Sequence, residues 1–205
     1  LEATLVSVLE NRPTGAEIVV ALGCEYADPW NIREEVRFVA APRGASLAAC
    51  LNAGIAAAAG RVIHVIAAGW RATEGWTERP LAHFATGGVA AVAPLVVSAA
   101  DRMRIDSAGI RTTRGGRRIV IGRGSKTTTV RLPQPAAPVL EAGFWSAELL
   151  AACGGFATDC GDALADADMA AAVRCAGGTV VFEPGAVILG GQPTGPNDAF
   201  TAGMQ

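Results

Sequence analysis

Lysine is almost missing from this chain. Lys126 is the only one in 205 residues, so positive charge rests on arginine. No unbroken run approaches the roughly 20 apolar residues that a membrane helix needs. The longest Ala-rich stretch, Ala53 to Ala59, contains Gly54 and stops at Gly60. The apolar fraction of 51 % owes much to alanine and does not signal a membrane protein. No leader-like segment opens the chain, so a cytoplasmic location is expected. The five cysteines form an odd set without paired metal spacing, which argues against a zinc site and a disulfide framework. Histidine is limited to His64, inside an apolar strand pattern, and His83, with no neighbour in sequence to work with. Gly-x-Ser-x-Gly, Walker and Cys–His nucleophile patterns are all absent. A net charge of −2 speaks against general nucleic-acid binding.

The charge is unevenly spread. Arg102, Arg104, Arg111, Arg114, Arg117 and Arg118 crowd one segment, followed by Arg123, Lys126 and Arg131, against only Asp101 and Asp106. Such a run either holds phosphate or an acidic polymer, or is a solvated hairpin of an Arg-rich chain.

Apolar spacing orders the remainder. Leu1, Leu5, Val8 and Leu9 recur at helical intervals, and Asn11-Arg12-Pro13 ends that helix. Short apolar runs at 17–22, 36–39, 62–66 and 89–97 read as strands, the last interrupted by Pro94. Ser46, Thr77 and Ser146 are placed to cap helices. Gly115-Gly116 predicts a turn into a strand at 118–121, and Pro133, Pro135 and Pro138 stiffen the connector after it. Asp166 and Asp168 open an apolar helix pattern that Gly177-Gly178 ends, and a strand follows at 179–182. Alternating strands and helices predict an α/β fold with a mostly parallel central sheet and helices on both faces.

Several pieces then fall in a familiar order. They are the strand at Glu17, the turn glycine Gly23, Asn52-Ala53-Gly54 on a helix, and the strand from Gly60 to Ile66. Gly143-Phe144-Trp145, Gly154-Gly155-Phe156 and Asp166-Ala167-Asp168 complete the series. Their order and spacing resemble a family 2 glycosyltransferase of the GT-A fold, over residues 1–188. A basic hairpin and connector at 101–138 are inserted, and 189–205 read as a loose tail. The resemblance places the family's first strand before Leu1.

The resemblance implies transfer of a sugar from a nucleotide-sugar donor to an acceptor hydroxyl, carbohydrate or other. It implies Asp166 as the base, Asp168 as the second retained acid, Gly23 at the donor turn and Trp145 stacking on an acceptor sugar. The departures matter as much. Ala21 and Leu22 stand where the family has aspartates for the nucleotide, and Ala67-Ala68-Gly69 replaces Asp-x-Asp. Alanine and glycine supply no oxygen to a hard divalent ion. The expectation is therefore no metal site, unless Glu25, Asp28 or Glu74 swings in from a loop, and no other cofactor, with Arg43 and Arg71 at strand ends balancing the diphosphate. The alternative is an inactive GT-A domain that binds a carbohydrate or a partner protein. No nucleic-acid partner is expected.

Overall fold

The computed structural model describes residues 1–128 and 131–191. Along the chain run α1 (Glu2–Asn11), β1 (Val19–Leu22), β2 (Arg37–Ala40), α2 (Leu47–Ala57), β3 (Val62–Ile66) and β4 (Arg71–Ala72). Then come α3 (Glu78–Ala85), β5 (Val89–Ser98), β6 (Ile105–Ser107), β7 (Ile110–Thr112) and β8 (Arg118–Val120). The last are β9 (Ala142–Ser146), α4 (Ala147–Cys153), α5 (Asp162–Cys175) and β10 (Thr179–Gly190).

The central sheet has the order β3-β9-β5-β10-β4, with β6 on β5. Strand β9 is antiparallel to both β3 and β5, while β10 is parallel to β5. Thus β3, β5 and β10 share a direction, as alternating strands and helices require, and a late strand running the other way separates β3 from β5. The sheet is mixed for that reason. The parallel pair β1–β2 forms a sheet of its own, and β1 pairs with no strand on its other side.

Strand β5 is buried along nearly its whole length, as expected of a strand covered on both faces. Pro94 does not interrupt it. That residue faces Glu183 at the point where β10 shifts register between Glu183 and Val187, so the missing N–H falls at a bulge. Strand β10 continues to Gly190, past the expected start of the tail. The remainder of that expected tail, 192–205, lies outside the described residues.

Ser46 and Ser146 cap as predicted, accepting from the amides of Ala49 and Leu149. Thr77 does not, because its backbone is already helical and its side chain makes no capping bond. One core packs Phe144, Trp145, Leu150 and Met169 between sheet and helices. A smaller one gathers Leu5, Val20 and Val36 beside β1 and β2. Helix α5 buries Ala165, Asp166, Met169, Ala170 and Val173, a stripe at helical spacing that contains a carboxylate.

Candidate functional site

Parallel strands deliver their C-terminal ends to one rim, where α/β sheets take ligands. A cleft of about 450 Å³ opens where β1 and β2 end, lined among others by Gly23, Cys24, Glu25, Arg33, Phe38 and Arg43. Gly23 and Arg43 both line it. A side chain at Gly23 would press on Cys50 Sγ, 3.1 Å from the added carbon. Arg43 lies 3.4 Å from Glu25, with both side chains largely exposed, so the pair adds little stability and leaves the guanidinium available.

The turn after β3 holds Ala67, Ala68 and Gly69. Buried hydroxyls of α1 cover it: Thr4 Oγ1 accepts from the Gly69 amide at 2.9 Å, and Ser7 Oγ accepts from Ala72 at 3.1 Å. Arg71 begins the edge strand β4 opposite Leu189 and does not line the cleft.

On the other side of β3, the Ala67 amide donates to the carbonyl of Glu141 at 2.8 Å. Glu141 therefore sits at the end of β3, just before β9, and does not itself line the Gly23 cleft. Loss of solvent raises its carboxyl pKa, and the charge of Asp166 adds to that, while a hydrogen bond from its own backbone amide, Arg118 and Arg123 oppose it. A lone Glu between Leu140 and Ala142 carries no motif, and sequence reasoning missed it. Its signal is positional, one residue before a strand whose end meets β3.

Asp166 is not open to an acceptor. It is fully buried, and Arg118 grips it with two bonds, Nε to Oδ1 at 2.7 Å and Nη2 to Oδ2 at 2.5 Å. Burial works against the charge on Arg118, but the bond to Asp166 and the negative charges of Asp166 and Glu141 together outweigh it and leave the guanidinium pKa raised. A base must reach its proton within hydrogen-bond distance, directly or through one water. Both oxygens of Asp166 are already engaged.

Asp168 is exposed and lines a second cavity, with Asn52, Gly155 and Asp159. Residues two apart on a helix point about 200° apart, so the two aspartates face different sides. Asp162 does not stay on its own helix either. Its carboxylate accepts from the amides of Leu47 and Ala48 at 2.9 and 2.8 Å, satisfying the N-terminus of α2.

Trp145 is a core residue with no exposure, set edge-on to Phe156 at 5.3 Å, and offers no face to a sugar. Its burial follows from β9 lying between β3 and β5. Asn52 clamps the Gly154-Gly155-Phe156 loop, donating to the Phe156 carbonyl at 2.8 Å and accepting from its amide at 2.7 Å. That element of the resemblance is structural.

No protein-family model matches the chain, and no curated protein matches it. Solved structures do. A mannosyltransferase from Pyrobaculum calidifontis, in complex with GDP-Man and Mn²⁺, superposes with a TM-score of 0.67 at 19 % identity. It covers 97 % of this chain and 55 % of its own. GalNAc-T7, with UDP, GalNAc and Mn²⁺, gives 0.68 at 14 % identity over 90 % of this chain and 40 % of its own. The chain has the GT-A glycosyltransferase fold, in divergent form. It spans about half the length of these neighbours or less.

The cofactor expectation is corrected by the same comparison. Both neighbours were solved with Mn²⁺, so a divalent metal is the cofactor to which this fold points. The side chains at this rim do not fit a resident ion. Among the described residues, no group of three or more His, Cys, Asp or Glu is placed to hold one. Glu25 lies against Arg43, and Asp28 engages Arg33 and the Ile32 amide. Among the described residues, no helix is long and apolar enough to cross a membrane.

Proposed function

We propose that this chain transfers a glycosyl group from a nucleotide-sugar donor to an acceptor hydroxyl. The donor enters the cleft around Gly23, and Arg43 meets its diphosphate. Arg suits this task, since its fork pairs with phosphate oxygens and its charge survives partial burial. The observation that carries the reading is Glu141. It is a half-buried carboxylate with raised basicity, at the end of β3, near an aspartate already neutralised by arginine. A general base benefits from a pKa moved toward the working pH.

In this reading Glu141 removes the acceptor proton. Asp166 is a positioning residue: it fixes Arg118, and the pair sets the field that Glu141 feels. A second reading has one specific observation in its favour. Ala67, Ala68 and Gly69 provide no carboxylate where the GT-A resemblance expects Asp-x-Asp, which suits a domain that binds a carbohydrate or protein without turnover.

Release of UDP or GDP from UDP- and GDP-sugars in the presence of Mn²⁺, with and without simple glycoside acceptors, separates the two. The transferase reading expects acceptor-dependent release that falls about 100-fold or more in Glu141→Gln. Unchanged release in a folded Glu141→Gln variant removes the base assignment. No release from any donor favours the binding domain.

A further inference from the structure

Strands β7 and β8 pair antiparallel, with Arg111 opposite Ile119 and Thr112 opposite Arg118. Side chains alternate between the two faces of such a ribbon. Ile110 and Arg118 point inward, the first fully buried and the second onto Asp166 of α5. Arg111 and Arg117 therefore share the outer face, and Arg114 stands at the turn closed by the Gly116 amide on the Thr113 carbonyl. All three are exposed. Arg104 and Lys126, paired in an isolated backbone bridge further along the same two segments, are two more exposed cations.

Among the described residues, none of these five lies within salt-bridge distance of a carboxylate. Like charges gathered on one ribbon repel and lower stability. A ligand that neutralises them removes that repulsion.

We propose that this outer face binds a polyanionic glycan, one carrying repeated carboxylate or phosphate groups, and presents it to the rim that holds Glu141. Presentation to Glu141 rests on the transferase reading, while the binding itself is independent of turnover. Three observations select this ligand. The inner face of the same hairpin is tied through Arg118 to Asp166, so the patch abuts the candidate acceptor side. Segment 101–128 contains no Phe, Tyr or Trp, so unpaired bases have nothing to stack on, which disfavours single-stranded nucleic acid. Met103 is the only large exposed apolar side chain there, too little to anchor a membrane surface.

The test measures binding of polygalacturonate, phosphorylated dextran and uncharged dextran to the wild-type chain and to a triple variant, Arg111→Ala/Arg114→Ala/Arg117→Ala. The expected result is binding of one or both charged glycans that weakens with salt, none of uncharged dextran, and at least a tenfold loss in the triple variant. Which charged glycan binds reports the anion. The variant should melt no lower than wild type, since it removes repulsion, and should keep its response to nucleotide at the Gly23 cleft. Binding of neither charged glycan, or equal binding by the triple variant, overturns the proposal. So does tighter binding of a mixed-sequence single-stranded oligonucleotide or of phosphatidylserine vesicles. Glycan binding without any nucleotide binding would instead overturn the transferase reading and leave the surface standing.

Discussion

Removing Arg118 should expose how strongly the interior depends on one ion pair. Asp166 has no exposure, and the Arg118 side chain retains 22 %. Two parallel charge-assisted bonds at 2.7 and 2.5 Å satisfy both carboxylate oxygens. Truncating one partner of a buried pair strands the other charge, at a cost of about 3–5 kcal/mol. Arg118 reaches solvent at one end, so Arg118→Met belongs near the lower figure, about 3 kcal/mol. For a domain of this size each kcal/mol moves the melting temperature by roughly 2–4 °C, so a fall of about 6–12 °C is expected. Asp166→Asn should cost less, because the amide is neutral and still accepts one bond. The double variant should recover part of the sum, with a coupling of about 2 kcal/mol in a double-mutant cycle read by urea unfolding. Additive losses, with coupling below about 0.5 kcal/mol, would refute the claim that the pair acts as a unit.

Three further outcomes follow from the same geometry. Glu141 takes up a proton more readily folded than unfolded, so stability should decline as pH climbs above the ordinary carboxyl range. Glu141→Gln should flatten that decline and be the more stable protein at pH 7 in denaturant titrations, while losing turnover. His64 is half-buried and stacks on Phe144 with rings 3.7 Å apart, and its loss of solvent lowers its pKa to about 4. Unfolded, its ring takes a proton below about pH 6.5. Its stability contribution is therefore intact above that value and drains by roughly 3 kcal/mol as pH falls toward 4. His64→Phe should remove that slope. Gly155 has φ +89°, and an added carbon would lie 2.3 Å from Asn52 Oδ1. Gly155→Ala should therefore lose about 2 kcal/mol or more by thermal melting, with Asn52→Ala similar through the unpaired Phe156 groups.

Much of the fold was legible because it rests on local pattern. Strands at Val19, Val62 and Val89 announce themselves by short apolar runs that follow glycines, and Ser46 and Ser146 by their place before apolar stripes. The mixed sheet was not legible, since β9 reaches its place between β3 and β5 through pairings more than 50 residues distant in sequence. The candidate site was hidden in the same way. Asp166 looked like a free acid because its partner, Arg118, sits 48 positions earlier in a basic run that reads as surface. Asp162, in the first turn of α5, caps α2 instead, some 115 positions away. The divergence of Asp166 and Asp168 was readable from helix geometry alone. The burial of Trp145 was not, because it depends on which strand lies on each side.

A titration of the whole chain with UDP- and GDP-sugars, in Mn²⁺ and followed by calorimetry, addresses the nucleotide cleft most directly. Saturable heat for at least one donor, weakened in Arg43→Ala with an unchanged melting temperature, is the predicted outcome. Silence toward every donor, with the protein demonstrably folded, would contradict it.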